Sequence, residues 1–251
     1  MFPVLMYHGL HADPNARGRF DPVYSVHPTQ FAEQLDWLLA NGYRTVPLSG
    51  DSTRTDARPV AITFDDGDVS NIEIALPLLR ERGMTAEFFI TSDFVGQPGM
   101  LSTADVRTLA KAGMGIGAHG RSHAFLEDLD IDALDDELRD SRARLAELSG
   151  QRIDALALPG GRGGERERRA ALAIGYRHLF GSVPGPNRSM QSDDWMQRLA
   201  VTRDTTLQEF ASLVAWQGLR PRIARARFFA LSLPKRMLGN TNYERLRARL
   251  L

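Results

Sequence analysis

The chain has 251 residues, a mass of 27.9 kDa, 43% hydrophobic and 25% charged residues; this suits one packed domain, or at most two, and excludes a disordered chain, a collagen-like repeat and a disulfide scaffold. Thirty-one basic and 31 acidic residues cancel, which argues against a nucleic-acid protein with a basic surface throughout. Cysteine is absent, so there is no disulfide, thiol nucleophile or thiolate ligand, and any metal has to be held by His, Asp or Glu.

Residues 4–7 form a short apolar run that predicts a first strand, and residues 9–27, rich in Gly, Asp, Pro and Asn, read as a long loop. Pro28-Thr29 opens a helix whose apolar positions Phe31, Leu35, Leu38 and Leu39 recur at helical spacing until Asn41-Gly42 stops it. Residues 45–48 predict a strand, 50–58 a polar loop, and 60–64 (Val-Ala-Ile-Thr-Phe) a buried strand that breaks into Asp65-Asp66-Gly67-Asp68. Helices are predicted at 72–82, 103–112, 131–148, 165–174 and 207–216, and strands at 86–90, 114–118, 155–158, 177–180 and 199–202. Strands alternating with helices predict a parallel sheet, open or closed into a barrel. The opening Met1–His8 segment has no basic stretch and too short an apolar run for a signal-peptide core, and no run approaches a membrane span, so a cytoplasmic protein is expected.

Ligands of parallel α/β folds sit at the carboxyl ends of strands, and three predicted strands end in chemistry. Phe64 leads into Asp65-Asp66, Ala118 into His119, and Leu158 into Pro159-Gly160-Gly161. His119 and His123 are four apart, which puts two imidazoles on one side of a turn; with Asp65 or Asp66 they would make a two-His, one-carboxylate metal site with open positions. The adjacent carboxylates repel unless a cation compensates one, which frees the other as a general base.

With these residues in place, the sequence resembles the polysaccharide deacetylases (the NodB-homology domain, carbohydrate esterase family 4). Val60–Gly67 is similar to the first motif of that family, His119-Gly120-Arg121-Ser122-His123 to the second, and residues 156–161 to the third. The resemblance covers about residues 1–216 and implies a single-domain distorted (β/α)7 barrel that removes N-acetyl groups from amino sugars with a divalent metal. It further implies Asp65 as the general base, Asp66, His119 and His123 as the metal ligands, and the Gly160 N–H as an oxyanion donor. Zinc is the expected ion; cobalt, nickel, iron or manganese would fit the same donors.

Three positions depart from the family pattern. Gly120 stands where a Ser or Thr usually braces the loop, Ala157 stands where an Arg often pairs with the base, and a late Leu-x-His carrying the general acid is missing. Val4-Leu5-Met6-Tyr7-His8 resembles the opening of the exopolysaccharide-deacetylase branch, whose barrel order is permuted, and this implies His8 as the acid; the other reading of His8 is a strand-end residue capping a loop. Trp195, Arg162 and Arg198 are candidate substrate contacts, and either arginine is also a candidate partner for the base. Trp195 has core packing as its alternative, and His11, His27 and His178 carry no assignment. The other readings of the whole site are hydrolysis of a different amide, formyl or non-sugar, and an inactive carbohydrate-binding domain.

Residues 218–251 form a basic extension beyond the barrel, with nine basic residues and one acid. Phe228, Phe229, Leu231 and Leu233 are interleaved with its arginines, as at an anionic membrane surface that presents lipid-linked saccharides. The alternative is a helix packed on the barrel, with its arginines solvated or paired with the acids of 127–140.

Overall fold

The structure is a computed structural model and describes residues 2–48, 58–188 and 195–238. Its strands are β1 (Val4–Tyr7), β2 (Tyr43–Thr45), β3 (Arg58–Phe64), β4 (Glu87–Ile90), β5 (Gly115–Ala118), β6 (Ala155–Ala157), β7 (His178–Phe180) and β8 (Leu199–Ala200). The helices are α1 (Pro28–Ala40), α2 (Leu76–Glu81), α3 (Thr103–Lys111), α4 (Ile131–Ser149), α5 (Glu165–Ile174), α6 (Leu207–Val214) and α7 (Arg220–Leu238). No helix among the described residues is long and apolar enough to cross a membrane.

All strand pairs are parallel, and seven strands follow one path, β7-β6-β5-β4-β3-β1-β8, with β2 pairing only the first half of β3. Met196, just before β8, bridges Phe180 of β7, and its N–H and C=O bond Leu179 and Gly181 at 2.7 and 3.0 Å. This contact ties the two ends of the sheet together, giving the expected distorted seven-stranded α/β barrel. The N-terminal strand is inserted between β3 and β8.

The two-residue alternation of strands sorts the side chains into layers. Leu5, Tyr7, Ile62, Phe64, Phe88, Ile90, Ile116 and Leu156 face outward and pack with the helices in the main core. Val4, Ala61, Phe89, Ala155, Ala157 and Phe180 face inward with Met196 in a second cluster. Continuing the inward parity along each strand leads from Ala61 and Thr63 to Asp65, from Gly115 and Gly117 to His119, and from Val4 and Met6 to His8. Residues whose backbones are far apart in sequence are thus aimed at one mouth of the barrel.

Two elements differ from the expectation. β2 begins two residues earlier than predicted, because the Arg58 N–H bonds the Gly42 carbonyl and Tyr43 stacks under Trp37; Val46 and Leu48 fill the inner cluster instead. The helix expected at 72–82 starts as a π-helical turn, Asn71–Ala75, before α2. Pro77 has no N–H for the Glu73 carbonyl, and the Leu76 N–H reaches back five residues to Asn71. The predicted loop at 50–58 lies outside the described residues except for Arg58.

Candidate active site

Asp65 follows the last residue of β3 and is 2% exposed. Arg198, 1% exposed, donates to both of its oxygens, Nη1 to Oδ1 at 2.6 Å and Nη2 to Oδ2 at 2.8 Å. The guanidinium is itself held by Nε donation to the Gly181 carbonyl at 2.8 Å and lies over the Phe89 ring. Burial opposes ionisation of Asp65, but the Arg198 charge, with His119 beside it, more than offsets this and holds its pKa below the ordinary carboxylate value. Of the two places open to Arg198, at the substrate or beside Asp65, it takes the second: it is buried in the barrel interior as the ion-pair partner of Asp65, a place the Ala157 side chain cannot fill.

Asp66 turns the chain out of the strand at φ 75°, a left-handed conformation that Asp tolerates better than most residues. The turn breaks the strand alternation and lets adjacent carboxylates share one site. Asp66 Oδ1 lies 3.4 Å from His119 Nε2 and 3.4 Å from His123 Nε2. His119 Nδ1 sits 2.9 Å from the Ala157 carbonyl, which only accepts; Nδ1 therefore carries the proton, and the neutral ring presents its Nε2 lone pair to Asp66. Burial pushes the His119 pKa down to about 4 against the attraction of Asp65 and Asp66, which keeps the ring neutral. His123, also at positive φ (68°), is half-buried against Phe94 and His119.

One donor atom each from Asp66, His119 and His123 falls within 4.8 Å of the other two. Asp66 Oδ1 is buried and makes no hydrogen bond. A buried carboxylate oxygen facing two imidazole nitrogens, one of them fixed as a lone pair, is an arrangement that a cation completes and that costs free energy without one. The residues present therefore fit a divalent metal with open positions.

The sequence reading missed what holds the ligand loop. Glu137 of α4 is 2% exposed; its Oε1 accepts the N–H groups of Arg121 at 2.8 Å and Ser122 at 2.6 Å, and the Ser122 hydroxyl lies 3.1 Å from both of its oxygens. A Cβ on Gly120 (φ 74°) would sit 2.9 Å from Glu137 Oε1. The glycine thus makes room for a carboxylate that performs the bracing of the missing hydroxyl residue. The signal was in the sequence: Glu137 falls on the buried stripe of Leu134, Leu138, Leu145 and Leu148.

His8 follows β1 and stacks on Tyr24 at 4.5 Å. It lines a cavity of about 80 Å³ together with Asp66, Asp68, Arg19, Asp21 and Tyr24, so the loop predicted at 9–27 walls the site. The loop is pinned from below: buried His11 lies between Ser25 Oγ at 2.8 Å and Asp68 Oδ1 at 3.3 Å, and Asp68 accepts the Arg19 N–H at 2.6 Å. Asn71, in the π-helical turn, donates to the His8 carbonyl at 3.0 Å.

The remaining candidates lie around these groups. Gly160, after β6, holds φ 63° with its Cα against the Phe125 ring, where a side chain has no room. Arg162 is placed away from Asp65: it lies 3.6 Å from Glu127 and over the Phe125 ring at 4.8 Å. Trp195 is partly buried against the main core, beside Gly181. His27 caps α1, accepting the Thr29 N–H at 3.2 Å.

Comparison with known proteins gives a consistent result. YxkH of Bacillus subtilis (strain 168) is 28% identical over 218 residues, covering 84% of this chain and 75% of that protein. The structure of BC0361, a polysaccharide deacetylase from Bacillus cereus, superposes with a TM-score of 0.76 at 25% identity, over 85% of this chain and 68% of that one. IcaB from Ammonifex degensii gives 0.71 at 25% identity, over 85% and 96%. The polysaccharide deacetylase family model matches residues 52–179, 128 of 251 positions, a span that holds Asp65, Asp66, the His pair and Gly160. The chain belongs to the polysaccharide deacetylase family.

Proposed function

We propose that the protein is a metal-dependent N-deacetylase that hydrolyses the acetamido group of amino sugars in a poly- or oligosaccharide. The observation that carries this is the convergence of Asp66 Oδ1, His119 Nε2 and His123 Nε2 beside an ionised Asp65. Asp66, His119 and His123 would hold a divalent cation, zinc by the preference of two imidazoles and one carboxylate, which would supply Lewis-acid polarisation of the acetyl carbonyl and acidification of water. Asp65 takes the proton of the attacking water. The Arg198 fork keeps it ionised and fixed in orientation, at some cost in basicity. The Gly160 N–H donates to the oxyanion of the tetrahedral species. His8, on the opposite wall, returns a proton to the amine nitrogen as the C–N bond breaks, so acetate and a free amino sugar leave. Trp195 and Arg162 are the side chains assigned to the saccharide.

The test is acetate release from acetylated amino-sugar oligomers, with N-formyl analogues and simple amides in parallel. Release from the acetylated sugars, slowed in His8→Ala with bound metal unchanged, supports the reading. Faster turnover of a non-sugar amide, or no turnover of any amide by the metal-loaded protein, contradicts it.

A further inference from the structure

Helix α7 meets the rest of the protein through one side. Pro221 is buried, and Ala224, Arg225 and Phe228 are half-buried. Arg225 Nη1 donates to Gln197 Oε1 at 2.8 Å and to the Pro184 carbonyl at 3.3 Å, and Arg220 pairs with Glu209 of α6 at 2.7 Å. The diametrically opposite side carries Ile223, Ala226 and Ala230, and Leu219, the residue just before the helix, extends them at the four-three-four spacing of a helical apolar stripe. All four are exposed, Leu219 at 67% and Ile223 at 51%. Phe229, 49% exposed, lies at the edge of the stripe, and Leu233 and Met237 continue its spacing in the sequence. Arg220 and Arg227 border one side of the stripe and Arg222 the other; residues 220–238 hold six basic residues and no acid.

The charge selects what covers this face. A second copy laid on it would oppose arginine to arginine, and residues 239–251 bring Arg245, Arg247 and Arg249 against one acid, Glu244. Both pairings are like-charged. An apolar stripe bordered by arginine suits a bilayer surface, where the stripe enters the headgroup region and the guanidinium groups meet lipid phosphates. We infer that α7 is a docking helix that lays the Leu219–Ile223–Ala226–Ala230 face on an anionic lipid bilayer. This stands on helix geometry and charge, apart from the chemistry of the site. Its consequence for substrate, which alone rests on the deacetylase reading, is that the saccharide is presented at the membrane.

The full chain is to be mixed with vesicles of equal parts phosphatidylglycerol and phosphatidylcholine, and with vesicles of phosphatidylcholine alone, at low and high salt. The protein sediments with the anionic vesicles only, and less at high salt. The double variants Leu219→Ser/Ile223→Ser and Arg222→Gln/Arg227→Gln each weaken binding by about tenfold or more, with zinc binding and circular dichroism unchanged because these side chains face solvent. Absence of binding to anionic vesicles at low salt overturns the inference. So does full retention of binding by the serine variant, which leaves only diffuse charge attraction. A dimer in light scattering that the serine variant dissolves, without vesicle binding, assigns the face to a second copy and equally overturns it.

Discussion

Asp65 and Asp66 are neighbours given different work by one backbone angle. Asp65 keeps the strand alternation and is gripped by Arg198, while Asp66, at φ 75°, turns toward the two imidazoles. Asp65→Asn preserves the shape and removes the proton acceptor. It is expected to keep the metal and lose on the order of 10²- to 10⁴-fold in turnover, measured as acetate release beside metal content; near-normal turnover would move the base elsewhere. Glu137 gives a subtler test. Both backbone N–H groups it receives go to Oε1, an acceptor that glutamine also has. Glu137→Ala is expected to weaken metal affinity about 10- to 100-fold, the scale for a group that positions ligands, and Glu137→Gln to restore most of it. Equal loss in both variants would mean that charge, not the brace, matters. The candidate ligands were legible because they sit in short motifs. Arg198 was legible only as one of two candidates, since the pairing that brings it to Asp65 spans 133 residues.

Strand β4 carries an ionisable side chain that the alternation places inside the barrel. Glu87 lies two residues before inward-facing Phe89, is 3% exposed, and leaves Oε1 without a hydrogen bond. In register beside it is Gly115, where any Cβ would collide with the carboxylate. Burial, with the Asp154 charge adding to it, pushes the pKa up from 4.5 to about 8. Between these values the unfolded chain has released the proton and the fold retains it, so this group makes the fold lose stability as pH rises, with no further loss above about 8. The ceiling of the slope is about 1.4 kcal/mol per pH unit. Urea unfolding at pH of about 5 and about 8 is expected to show a smaller fall with pH in Glu87→Gln than in the unchanged protein; equal falls would place the ionisation elsewhere. At this scale the sequence was most readable where periodicity is long: α4 and α5 fall where their apolar spacing put them. The π-helical turn before α2 follows from one missing N–H at Pro77, and the early start of β2 from a pairing with β3, neither of which is a periodic signal.

For the whole molecule, the alternation of strands and helices and the order of three motifs were enough to expect a closed α/β barrel with its chemistry at one mouth. They did not show that β1 lies between β3 and β8, because its pairing with β8 spans most of the chain, or that Met196 ties the sheet ends, because a single bridge to Phe180 leaves no periodic signal. That insertion is what brings His8 to the wall opposite His119, and the loop after it encloses the cavity shared with Asp66. The central claim is that Asp66, His119 and His123 together hold one divalent cation. Its most direct test is calorimetric titration of zinc into chelator-stripped protein, unchanged and as His123→Ala, with circular dichroism confirming both folds. The account predicts one zinc per chain for the unchanged protein and no measurable stoichiometric binding for the variant; zinc bound by His123→Ala with unaltered stoichiometry and affinity would contradict it.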